Sequence, residues 1–149
     1  LEIAGGAIKE KARGLARPTG LAIAGDGACF VSESDKGRVV QIDGSGAATA
    51  VIEGLREPQG LAIDGDNLYV VDAGAHELLA YSLKSKKHQT IASNLPVGAA
   101  PGVVPKVLMG IPGLLPGPLR PFAGVTAGSD GKLYVAADGD GSIIAVSKA

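Results

Sequence analysis

A chain of 149 residues fits one domain, and its 14 Lys plus Arg nearly balance 15 Asp plus Glu, for a net charge of −1. No basic stripe stands out, which sets aside nucleic acid and anionic membrane as partners. Only 2 Phe, 3 Tyr and no Trp contribute to the 46% apolar content, so Ala, Val, Ile and Leu must build the core, while 23 Gly and 9 Pro exclude a helical bundle. Gly or Pro breaks every apolar run well short of the ~18 residues a membrane helix needs, so no membrane insertion is expected and the chain reads as soluble. No signal peptide is visible, but the chain starts at Leu1 rather than Met. A removed leader therefore stays open, and secretion or a periplasmic location is compatible with the sequence. Cys29 is alone, which rules out an internal disulfide, and its apolar neighbours suggest a buried small hydrophobe.

In chain order, residues 1–14, beginning "LEIAGGAIKE", read as an outer strand and a lead-in. Residues 15–54 and 55–94 then repeat one phrase, "PTGLAIAGDG" from Pro18 and "PQGLAIDGDN" from Pro58, at a period of about 40. Each copy predicts a short apolar strand (21–23, 61–63), a tight turn at Asp26-Gly27 or Asp66-Asn67, and a second strand (29–32, 68–71). A polar loop comes next, then a third strand (38–42, 77–81), and a fourth in "ATAVIEGL" or "HQTIASNL". Residues 95–120 hold six of the nine prolines and read as an inserted loop, neither helix nor central strand. Met109, Leu114 and Leu115 in that loop are expected to be buried, against the rest of the chain or a partner. Residues 121–149 give a third copy with strands at 125–127, 133–136 and 142–146 and a turn at Asp130-Gly131. This copy has one residue more between Pro121 and its Gly, and no fourth strand.

Four antiparallel strands in about 40 residues make one blade of a β-propeller. The fold class is therefore all-β, with three blades per chain, half of a six-bladed propeller. Three blades in a row leave two apolar blade faces open. The expected partner is a second copy forming a homodimer, with residues 1–4 adding a strand beside 142–146 of the other chain, or the missing half of a longer propeller.

The text "LREPQGLAIDGDNLYVVDAGAHELLAYSL" resembles repeats of the NHL-repeat propeller family. Pro58, Gly60, Ala62, Asp64, Tyr69, Val70 and Asp72 fit its pattern; Ala75 and Glu77 stand where Asn and Arg are usual. The resemblance covers roughly 110 of the 149 residues. It implies a propeller that binds a small-molecule or protein ligand without catalysis and without a cofactor. The architecture is also similar to gluconolactonase and streptogramin-lyase propellers. That alternative implies a metal-assisted hydrolase or lyase site in the channel, with Ca or Mg as a divalent cofactor.

Loops that converge on a propeller's channel carry its sites. The lead-in segments place Arg17, Glu57, Gln59 and Arg120 there, and the loops after each second strand add Glu33, Asp35, Asp72, His76, Asp138 and Asp140. Of these, Arg17, Glu33, Glu57, Gln59, Asp72, Arg120 and Asp138 are candidate binding residues. Glu33, Asp72 and Asp138 are hard oxygen donors, and so candidates for a divalent metal. Carboxylates in such turns also cap backbone amides. His76 is the candidate general base or acid of the enzyme alternative, whereas His88, beside Lys86 and Lys87, belongs to an outer hairpin.

Overall fold

The computed structural model describes residues 2–4, 6–100, 103 and 121–148. The strands β1 (Glu2–Ala4) and β2 (Ala7–Lys9) form an antiparallel hairpin, Glu2 opposite Lys9 and Ala4 opposite Ala7. The lead-in thus supplies two strands where one was expected. The physical reason is the turn between them, where Gly6 adopts φ 81 and lets the chain fold back on itself.

Blade 1 comes next as β3 (Pro18–Ile23), β4 (Cys29–Glu33), β5 (Arg38–Ile42) and β6 (Ala48–Ile52), paired in that order. Blade 2 repeats it as β7 (Pro58–Asp64), β8 (Asn67–Asp72), β9 (Glu77–Ser82) and β10 (His88–Ala92). Blade 3 consists of β11 (Val125–Ala127), β12 (Lys132–Ala137) and β13 (Ser142–Ser147). Among the described residues β13 pairs only with β12, so its outer edge is open. The molecule is all-β and has the architecture of a partial propeller.

Strand pairing places the three blades in one register. Leu21 lies opposite Val31, Leu61 opposite Val70, and Val125 opposite Val135. Gly20, Gly60 and Gly124 are therefore equivalent, and Thr19, Gln59 and Ala123 precede them. The extra residue expected in the third copy vanishes, because Phe122, rather than Pro121, takes the place of Pro18 and Pro58. The chain there is set by blade 2, not by a proline: Ala123 N donates to Gln59 Oε1 at 2.6 Å, and Gly60 N donates to Ala123 O at 3.0 Å.

The core lies between blades, as alternation along each strand demands. One face of blade 1 (Ala22, Phe30, Val39) packs on Leu61, Leu68, Val70 and Leu79 of blade 2. The other face of blade 2 (Tyr69, Val71, Leu78) packs on Leu133, Val135, Val125 and Ala127 of blade 3. Small residues let the inner strands approach closely. An added Cβ on Gly60 would stand 2.6 Å from Ala123 O, and one on Gly20 would strike Gln59 O.

Local chemistry departs from expectation in two further places. Gly27 and Gly131 carry the positive φ expected of their turns (86 and 81). In blade 2, however, Asp64 pairs with Asn67, which leaves Gly65-Asp66 as the loop, and Gly65 takes φ 56 in place of Asp66-Asn67. Cys29 is half-buried, and burial pushes its thiol pKa up. Of residues 95–120, Leu95 and Val97 are buried between blades 2 and 3, and Val103 is exposed. Met109, Leu114, Leu115 and Arg120 lie outside the described residues.

Candidate functional site

The turns after β4 and β8 pack on their lead-ins, Ser34 N donating to Arg17 O at 3.2 Å and Ala73 N to Glu57 O at 3.0 Å, whereas the turn after β12 packs on the segment that follows β10, Gly139 N donating to Pro96 O at 2.9 Å. Arg17 Nη2 bonds Glu57 Oε1 at 2.6 Å, joining the lead-ins of blades 1 and 2. Arg17 Nε also lies 3.0 Å from Asp35 Oδ1, without the alignment of a hydrogen bond. Arg17 thus bridges two carboxylates, Asp35 and Glu57, at the rim of the junction, leaving the trio with one net negative charge.

Three candidate binding residues point inward instead. Glu33 is fully buried; its Oε1 accepts from Ala16 N at 2.7 Å and its Oε2 from Arg38 Nε at 2.6 Å. Burial alone would raise the Glu33 carboxyl pKa. The Ala16 amide, the Arg38 guanidinium and the charge of Lys36 outweigh it and hold the group below the usual carboxylate value. Asp72 sits at the same register position and caps its own lead-in, accepting from Arg56 N at 2.8 Å and Glu57 N at 2.7 Å. Gln59 spans blades 2 and 3 through its bond to Ala123 N. Its backbone carbonyl accepts from Ser32 Oγ at 2.6 Å, which ties blade 1 to the same strand.

Asp138 stands one position later than Glu33 and Asp72 in the register; blade 3 has Ala137 at theirs. Its Oδ1 accepts from Gly98 N at 2.8 Å, while Oδ2 is buried without a partner. Among the described residues no three His, Cys, Asp or Glu side chains stand together as a metal would require. The donor chemistry agrees: Glu33 and Asp72 spend their oxygens on amides and Arg38, so these residues do not fit a divalent ion. Asp140, by contrast, is exposed and caps Ser142 N at 2.9 Å.

His76 is placed differently. It holds φ 60 at the position where blade 1 has Gly37 (φ 57) and blade 3 has Gly141 (φ 77). Nearby, Asn94 holds φ 57 at the position of Gly54 (φ 78). The same backbone bond marks both sites: Leu55 N to Gly37 O at 2.9 Å in blade 1, and Leu95 N to His76 O at 3.0 Å in blade 2. Both residues line one open hollow of about 390 Å³, with Ala75, Pro96, Gly98 and Gly139 around them. His76 was legible as a candidate from its residue type. Asn94 was not, since only the register shows that it replaces a glycine. His88 is exposed on β10, away from this hollow.

No protein-family model matches the chain, and no curated protein does. Solved structures do. Aldose sugar dehydrogenase from Streptomyces coelicolor in its PQQ-bound form is 18% identical, with a TM-score of 0.64 over 94% of this chain and 47% of that one. Virginiamycin B lyase from Staphylococcus aureus, with quinupristin, is 16% identical, with a TM-score of 0.56 over 89% and 42%. A chain of a nidogen/laminin complex is 16% identical, with a TM-score of 0.55 over 81% and 40%. The chain spans less than half the length of these neighbours. At such identities the likeness shows the fold alone, a partial β-propeller. Among the described residues no helix is long and apolar enough to cross a membrane.

Proposed function

We propose that this chain is a propeller ligand-binding module, built of NHL-type repeats, whose ligand enters the hollow beside His76 and Asn94. One observation carries this reading. Two residues with side chains hold left-handed backbone where blade 1 uses glycine, and both line the same hollow. Such backbone costs most non-glycine residues roughly 1–2 kcal/mol, and Asn less, and strain of this kind clusters at ligand clamps. Imidazole and carboxamide groups offer both donors and acceptors, and Leu95, Pro96 and Val97 supply an apolar wall. The ligand class that fits is a small amphipathic molecule with hydrogen-bonding groups.

The test is the double variant His76→Gly, Asn94→Gly. Its unfolding free energy should match or exceed the parent's, since glycine accepts this backbone and the strain relieved offsets its freer unfolded chain. Calorimetric titration with quinupristin, PQQ and an aldose, the molecules named with the fold neighbours, should show binding to the parent that the double variant loses. Binding retained by the double variant, or a loss of stability beyond about 2 kcal/mol, would show that these residues serve the scaffold instead.

The enzyme alternative rests on His76, the histidine in this hollow. As a general base it would take a proton from a bound substrate. If quinupristin is turned over by the parent and not by His76→Ala, this reading replaces the first.

A further inference from the structure

We infer that a second copy of this chain closes the propeller, with blade 3 of each protomer seated on blade 1 of the other. The inference rests on the blade architecture and not on the ligand hollow, so either can fail without the other.

The two internal junctions set the rule for a third. Toward its preceding neighbour each blade presents the first and third apolar residues of its inner strand. Leu61 and Ile63 do so against blade 1, and Val125 and Ala127 against blade 2. Their equivalents in blade 1, Leu21 and Ile23, are 62% and 54% exposed, since no described blade packs on that face. Toward its following neighbour each blade presents Val39, Leu78 or Ile143, which lie at one register position beside Arg38, Glu77 and Ser142. Val39 and Leu78 are fully buried, whereas Ile143 is 75% exposed. Beside Ile143 lies an open hollow of about 310 Å³ lined by Val125, Thr126, Tyr134 and Ala136. The two open faces are thus the complementary halves of a junction this chain already makes twice.

The glycines give independent support. Gly20 approaches Gln59 O, and Gly60 approaches Ala123 O, each leaving no room for a Cβ. Gly124 is their equivalent, yet an added Cβ there would meet only the Phe122 ring, at 3.5 Å. The carbonyl that completes the series belongs to Thr19, the counterpart of Gln59 and Ala123, in another copy.

Strand edges fit as well. The outer strands β6 and β10 end two residues before Gly54 and Asn94. Counting back the same way from Gly14 reaches residues 8–12, which overlap β2 rather than β1. A partner's β2 therefore takes the outer place beside the open edge of β13, with β1 beyond it. The chain also spans 47% of the aldose sugar dehydrogenase chain, so two copies restore a full ring, and a two-fold axis makes both junctions identical.

Sedimentation equilibrium of the whole chain at micromolar concentration tests this. The expected mass is twice 14.8 kDa. Gly124→Ala should give a monomer that keeps the parent's β circular-dichroism signal. Ile143→Lys and Ile23→Glu should each weaken the dimer, and mixing the two should partly restore it, because one of the two junctions then stays native. A folded parent monomer would overturn the inference and point to blades supplied by a longer polypeptide. A Gly124→Ala dimer as tight as the parent would overturn it too.

Discussion

Glu33 is the residue where charge, burial and backbone meet. It is buried, and it holds the Ala16 amide and the Arg38 guanidinium on separate oxygens. Its pKa is lowered on folding, so its contribution is fully present above the unfolded value, near 4.5, and is lost as pH falls through the lower folded value. Glu33→Gln should cost about 2 kcal/mol at neutral pH, the worth of charged hydrogen bonds. The gap to the parent should narrow at acid pH, where the parent's carboxylate is itself protonated. Urea unfolding across that range checks it, and a gap independent of pH would mean the charge is not what matters. The carboxylates were visible in the sequence as candidates, but whether they faced the channel or their own lead-ins was not. That choice depends on the amides of Ala16, Arg56 and Glu57, which residue types do not reveal.

At the scale of elements, strand positions came from punctuation. Asp-Gly turns and apolar runs located β5 and β11 to the residue, and the other blade strands to within a few. Register was harder. Pro121 looked like the counterpart of Pro58, and only the pairing of Val125 with Val135 shows Phe122 in that place. The hairpin β1–β2 was hidden for a related reason: without a repeat to compare, nothing marked Gly6 as a turn. Contacts between inner strands depend on Gln59, whose side chain reads in sequence as a polar, channel-facing group. Gln59→Leu keeps the volume but leaves Ala123 N–H unpaired. It should lower stability by about 1–3 kcal/mol. Equal midpoints for parent and variant in denaturant would show that the bond between blades is dispensable.

Across the whole molecule, blades nest through their inner strands, with glycine at each point of closest approach. The most direct measurement of that nesting is the unfolding free energy of Gly60→Ala. Propensity alone favours alanine within a strand by roughly 0.5–1 kcal/mol. Nesting predicts the opposite sign, because the new Cβ would lie 2.6 Å from Ala123 O and 2.8 Å from Val125 N, both backbone atoms fixed by blade 3. The expected result is a loss of about 2 kcal/mol or more. A variant as stable as the parent, or more stable, would contradict it.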